Sequence, residues 1–166
     1  MITIRPATRA DFPAIWKIFR EIMLAGDTYV NDESWTEEQT LEMWFGPKVQ
    51  TYLALDGDQV VGAYKILPNM PGRGSHIANG SYIVDAKVRG KGLGRIMVEH
   101  SLREAKRSGF IAIQFNCVVS SNVHAVHLYH SLGFVTLATV PKGFNHAKLG
   151  LIDSYVMYRS LDDIEL

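Results

Sequence analysis

Residues 88–95 read Val-Arg-Gly-Lys-Gly-Leu-Gly-Arg, with glycine at positions 90, 92 and 94 and a basic side chain at 89, 91 and 95. Alternate glycines leave backbone N–H groups that no side chain shields. A helix begun just after them aims its positive N-terminal end at the same place, so the segment is suited to holding an anion. Two more specific phosphate signatures do not fit. A P-loop needs Ser or Thr after Gly-Lys, and Gly92 follows Gly90-Lys91. A dinucleotide fingerprint needs glycine where Arg95 stands. What remains is Arg89-x-x-Gly92-x-Gly94.

The elements on either side must place that turn. His76–Val84 reads as the strand leading into it. Gly92–Ser108 reads as an amphipathic helix, with Leu93, Met97, Val98, Ser101, Leu102 and Ala105 on one half and Arg95, Glu99, Arg103, Lys106 and Arg107 on the other. Gly109 stops it. Ile111–Val119 is nearly all apolar, as in a strand buried on both faces. Asn122 then caps a helix over Val123–Leu132, closed by Gly133. Upstream, Ile2–Arg5 alternates as a strand. Asp11 and Pro13 open a helix running to about Leu24, with Asp11 as its N-cap. Thr36 and Gln39 form a capping box for a helix to Phe45. Asp56-Gly57-Asp58 joins strands Thr51–Leu55 and Gln59–Leu67 as a hairpin. Phe134–Val140 and Ser154–Leu161 finish as strands, separated by a loop rich in Gly, Pro, Lys and His.

The resulting order is β-α-α-β-β-β-α-β-α-β-β. Hairpins combined with one strand–helix–strand crossover predict an α/β fold with a mixed, mostly antiparallel seven-stranded sheet and four flanking helices. At 166 residues, the chain reads as a single domain over 1–166. Its 17 basic and 17 acidic residues cancel, which disfavours a dedicated nucleic-acid binder. No apolar run approaches the ~20 residues that span a bilayer, and Met1–Pro6 lacks the features of a secretory signal. Cys117 is the only cysteine, so no internal disulfide forms. A reducing, cytoplasmic setting without membrane attachment is the expectation.

The Arg89-x-x-Gly92-x-Gly94 pattern, following the fourth strand and opening a helix, resembles the pyrophosphate-binding motif of the GCN5-related N-acetyltransferase family, written Arg/Gln-x-x-Gly-x-Gly/Ala. One helix and one strand later, Asn122-x-x-Ala125-x-x-Leu128-Tyr129-x-x-Leu132-Gly133-Phe134 resembles the same family's second cofactor motif. The resemblance implies a single-domain acetyltransferase that uses acetyl-coenzyme A as donor and no metal. The amine of a small molecule would attack directly in a ternary complex. On this reading Arg89, Gly90, Lys91, Gly92, Leu93, Gly94 and Arg95 hold the pyrophosphate. Ile83, Val84 and Asn122 meet the pantetheine arm. Homodimers are frequent in the family, so a homodimer is among the expectations.

The resemblance also places Tyr129 beside the coenzyme sulfur. A departing thiolate leaves more readily if protonated, and a phenol of ordinary pKa near ~10 still carries its proton at pH 7. Tyr129 is thus the expected general acid. For the base that deprotonates the amine, the alternatives are Glu21, Asp27, Glu33, His76, Asp85 or water.

For the acceptor, His76-Ile77-Ala78-Asn79-Gly80 and Phe115-Asn116-Cys117 put one asparagine in each of two neighbouring strands, where Asn is uncommon. These segments are similar to a subgroup acting on azetidine-2-carboxylate and related imino or amino acids, which implies that Asn79 and Asn116 hold a substrate carboxylate. Tyr29 and Trp35 flank the loop that would wall the acceptor pocket. Two other functions compete: a module that binds coenzyme A without turnover, and an acetyltransferase for protein or peptide N-termini. His124, His127 and His130 on one short helix lack a recognised zinc spacing and read as a polar face.

Overall fold

The computed structural model describes residues 1–166. Seven strands form one sheet in the order β1-β2-β3-β4-β5-β7-β6. They are β1 (Ile2–Pro6), β2 (Gln50–Asp56), β3 (Gln59–Pro68), β4 (Ile77–Val84), β5 (Ala112–Val119), β6 (Val135–His146) and β7 (Gly150–Ser160). The helices are α1 (Phe12–Ala25), α2 (Glu37–Phe45), α3 (Leu93–Arg107) and α4 (Val123–Ser131). Every neighbouring pair is antiparallel except β4 and β5, which the α3 crossover makes parallel. The expected α/β architecture and element order are those observed.

Strand alternation divides the core into two layers. Leu53, Ala63 and Ile83 pack on one face with Ile15, Phe19, Ile22 and Met23 of α1 and Trp44 of α2. Tyr52, Tyr64, Ile66 and Ala78 pack on the other with Met97, Val98 and Leu102 of α3. α4 adds Leu128 and Tyr129 to that second layer. No helix is long and apolar enough to cross a membrane.

Two local expectations differ from the structure. The segment after Val140 is no loop, since β6 and β7 form one long hairpin that turns only at His146–Gly150. A register shift between Val140 and Phe144, with Lys142 at φ 55°, hides the strand alternation there. Pro141 is tolerated because β6 is the sheet edge and needs no outward N–H partner. Asp11, expected to cap α1, makes no side-chain cap. Its carboxylate turns back to Arg5 at 2.7 Å and to the Thr8 N–H at 2.8 Å. A guanidinium is a stronger partner for that carboxylate than a lone amide.

Candidate functional site

The glycine turn is open on its outer side. At Gly90 and Gly92, with φ of 80° and 76°, an added Cβ would meet nothing within 4 Å. Glycine is required there by the left-handed backbone, and the free space is what an anion would fill. No acceptor within the protein takes the N–H groups of Gly90, Lys91 or Gly92. The Ile96 N–H bonds Gly92 O at 3.2 Å, so those of Leu93, Gly94 and Arg95 precede the helical ladder. Arg89 and Lys91 are exposed and enter no ion pair. Arg95 differs: its guanidinium reaches Glu99 at 3.3 Å and Ser131 at 2.7 Å, tying α3 to the end of α4. At Gly94 a Cβ would lie 3.3 Å from Leu128, so this glycine keeps α3 and α4 close.

Beside the turn the sheet opens. β4 and β5 pair only at Ile77–Ala112 and Ala78–Ile113. Asn69 N–H bonds Ile77 O at 2.8 Å and Asp85 N–H bonds Val61 O at 2.9 Å. These two bonds set the parity of the β3–β4 ladder. Odd-numbered residues of β4 direct their backbone groups to β3. Gly80, Tyr82 and Val84 direct theirs to the side that β5 has left. Ile83 therefore spends its backbone on β3, with its side chain 1% exposed against α1. Val84 faces the opening.

Aromatic rings line this opening. Tyr129 lies 4.6 Å from Phe115, 5.6 Å from Phe134 and 6.4 Å from Tyr82, centroid to centroid. Burial among them pushes the Tyr129 phenol up to about 12, because the phenolate loses its hydration. Tyr82 pairs its hydroxyl with Ser101 of α3 at 2.6 Å. From the other face of the sheet, Tyr29 donates to the Tyr82 carbonyl oxygen at 3.4 Å. Burial is the main force raising the Tyr29 phenol, and a charge on Tyr129 would raise it further. The opening thus has phenols on both sides. Asn122 caps α4, accepting from Ala125 N–H at 3.4 Å.

Asn79 and Asn116 meet on the α1–α2 face through a residue that the sequence reading missed. Both Nδ2 groups donate to Asn69 Oδ1, at 3.1 and 2.8 Å. Asn69 follows Pro68 at the end of β3, where asparagine ordinarily signals only a turn. Trp35 is placed differently. With Trp16, Arg20, Glu33 and Glu37 it walls a cavity of about 210 Å³ between α1 and the start of α2, and Tyr29, Asn79 and Asn116 do not line it.

The alternatives for a base are scattered. Asp85 accepts from Lys87 N–H at 2.9 Å and shapes the turn after β4. His76 is exposed and precedes β4, its carbonyl bonded to Ile111 N–H. Glu21 is exposed on α1, Glu33 belongs to the tryptophan cavity, and Asp27 follows Gly26 in the loop after α1. None of them hydrogen-bonds to Tyr129, Asn79 or Asn116. Cys117 is half-buried in the irregular stretch of β5 between Phe115 and Val118. His130 pairs with Phe134 O at 3.1 Å.

The fold that carries this opening recurs in known proteins. A solved GCN5-related N-acetyltransferase from Kribbella flavida is 44% identical and superposes with a TM-score of 0.91, over 96% of this chain and 97% of that one. The N-acetyltransferase aca1 of Schizosaccharomyces pombe is 38% identical over 109 residues, which are 63% of this chain and 52% of that protein. The chain thus spans about half the length of that curated relative. An L-methionine sulfoximine/L-methionine sulfone acetyltransferase from Salmonella typhimurium is 28% identical over 85% of this chain and 84% of its own. The model of the acetyltransferase (GNAT) family matches residues 12–134, a span that takes in the cradle, the opened strands and both sequence motifs. By that match the chain is a member of the acetyltransferase (GNAT) family.

Proposed function

We propose that this enzyme transfers an acetyl group from acetyl-coenzyme A to the amine of a small amino or imino acid, by direct attack in a ternary complex. The observation that carries the reading is the separation of β4 from β5 beyond Ala78 and Ile113. It leaves an aromatic-lined opening with an anion cradle at one end and asparagine amides on the α1–α2 face.

The residues present suit coenzyme A. Its pyrophosphate would lie against the N–H groups of Gly90 to Arg95, with Arg89 and Lys91 adding charge. Its pantetheine amides would pair with the outward backbone groups of Gly80, Tyr82 and Val84, beside Asn122. When bound, acetyl-coenzyme A supplies an activated acyl thioester. Tyr129 holds a proton on its phenol oxygen for delivery to the departing sulfur. A phenol held up to about 12 is still protonated at neutral pH and remains a stronger donor than bulk water. Outward N–H groups of β4 would offer hydrogen bonds to developing negative charge on the acyl oxygen. Asn79 and Asn116 would hold the acceptor's carboxylate, with Tyr29 beside them.

The test is a thiol-release screen with acetyl-coenzyme A against amino acids, imino acids, polyamines and peptides. Turnover confined to small amino or imino acids supports the reading. Turnover only on peptide N-termini moves the enzyme to the protein-modifying class, and none above hydrolysis removes the catalytic assignment.

We infer further that the protein pairs with a second copy along β6. That strand is one edge of the sheet, and its Val135 and Leu137 are 54% and 57% exposed. Soluble sheets seldom leave such an edge uncovered.

A further inference from the structure

Three strands bring one amide side chain each to the same point on the α1–α2 face. Asn69 extends the line of β3, pinned by its own N–H to Ile77 O. Asn79 belongs to β4 and Asn116 to β5. Asn69 Oδ1 accepts from Asn79 Nδ2 and from Asn116 Nδ2, at 3.1 and 2.8 Å. Asn116 Oδ1 in turn accepts from Gln114 Nε2 at 3.0 Å.

The donor and acceptor inventory is lopsided at Asn69. A carbonyl oxygen accepts two hydrogen bonds and an amide nitrogen offers two N–H groups. Asn69 Oδ1 is therefore fully used, Asn116 Oδ1 is partly used and Asn79 Oδ1 accepts nothing. Both N–H groups of Asn69 remain, with one each on Asn79 and Asn116. Asn69, its oxygen consumed, can offer a ligand only its N–H groups. Asn116 is exposed and Asn69 and Asn79 are half-buried, so these donors open to solvent. A residue left with donors only, where two further amides meet, favours an anion over a cation.

We propose that Asn69 is a specificity-determining residue of the acceptor site. It acts as a hub that orients Asn79 and Asn116 as donors, and its own Nδ2 completes a receptor for a carboxylate. The acceptor is then an amine that carries a carboxylate, held by neutral amides. This rests on the acetyltransfer reading above and adds to it the residue that sets the polarity of the pocket. Asn79 and Asn116 alone could turn either end of their amides toward a ligand. Sharing one oxygen fixes the orientation of both.

The decisive variant is Asn69→Asp. A carboxylate at this position can accept the same two hydrogen bonds, so the hub and the fold are kept. Its second oxygen replaces the outward Nδ2 with negative charge. L-Azetidine-2-carboxylate and azetidine differ only by the carboxylate and form the matched probe. For N69D, KM for the acid should rise about 100-fold or more, with kcat changed by less than ~3-fold and KM for azetidine unchanged. Asn69→Ala should weaken the acid less, because it removes donors without adding repulsion.

Equal losses on both probes, or an unchanged KM for the acid, overturn the proposal. If the wild-type enzyme acetylates nothing, the catalytic reading fails separately. Calorimetric titration of the same two probes into coenzyme A-loaded wild-type and N69D protein then decides the receptor without turnover. Selective loss of the acid in N69D supports it, and equal or absent binding of the two probes by wild type overturns it.

Discussion

The Tyr29 hydroxyl donates to the carbonyl oxygen of Tyr82 at 3.4 Å, bridging the loop after α1 to the unpaired edge of β4. That carbonyl is available because the β3–β4 parity turns it away from β3 and because β5 has already diverged. A phenol on the acceptor side thus touches the same backbone that the donor arm would use. Tyr29 also packs edge-on against Phe19 at 4.9 Å, which holds its ring independently of the hydroxyl.

Tyr29→Phe should consequently keep the fold and disturb the junction. One part-buried hydrogen bond contributes ~0.5–1.5 kcal/mol, so the expected effect is a rise in acceptor KM of about 3–10-fold. Steady-state kinetics with varied acceptor at saturating donor measures it. A change in donor KM alone would assign Tyr29 to the other substrate.

Gly92→Glu places a carboxylate in the open space of the cradle. Left-handed backbone at a non-glycine residue costs ~1–2 kcal/mol, equivalent to a fall in Tm of roughly 2–8 °C for a chain of this size. Coenzyme A affinity should drop more than ~100-fold, because an anion then faces an anion. Calorimetric binding beside a melting curve separates the two effects. Unchanged affinity would place the pyrophosphate elsewhere.

Tyr129→Phe should lower kcat by a factor of about 10²–10⁴, the range for general-acid groups, while coenzyme A binding is retained. The pH profile carries a second signature. Because desolvation holds the phenol up to about 12, the acid stays loaded across the neutral and mildly alkaline range. No fall in kcat attributable to this residue is expected between pH 7 and 10.

The same burial makes the fold sensitive to alkali. Burial raises the phenols of Tyr29, Tyr82 and Tyr129 above their ordinary value. Below pH ~10 these groups are protonated in folded and unfolded chains alike, and their contribution is fully present. Above it the unfolded chain ionises first, so stability falls as pH rises toward the folded-state values. Each such group contributes a slope of ~1.4 kcal/mol per pH unit. Urea midpoints should be nearly flat from pH 8 to 9.5 and drop steeply beyond. Tyr82→Phe should make that drop shallower.

Leu137→Asp tests the β6 edge. The wild-type chain is expected to sediment as a dimer and the variant as a monomer, with little change in Tm because Leu137 is exposed within the protomer. A monomeric wild type at micromolar concentration rejects the pairing.

Local signals were sufficient where the physics is local. Thr36 and Gln39 form their reciprocal cap on α2, and Gly109 and Gly133 adopt the left-handed backbone after α3 and α4. The Asp56-Gly57 turn joins β2 to β3 in antiparallel register. Gly90 and Gly92 have the conformation that only glycine adopts cheaply. Signals failed where a distant partner decides. Asp11 would have capped α1 had Arg5 not been brought beside it from β1. The β6–β7 hairpin was obscured by a register shift, which alternation cannot reveal.

By itself the sequence determined the order of elements, the glycine turn and the motif pair that marks the acetyltransferase family. Each depends on backbone conformation or on residues within one element. Tertiary structure decided the rest. The divergence of β4 from β5 exists only in the sheet, and it is what frees the backbone of Gly80, Tyr82 and Val84. The Asn69–Asn79–Asn116 cluster joins positions 10 and 47 residues from its hub, a separation at which no local pattern survives. A hydrogen-bond acceptor is shared in space, and only the folded chain shows which amides share it.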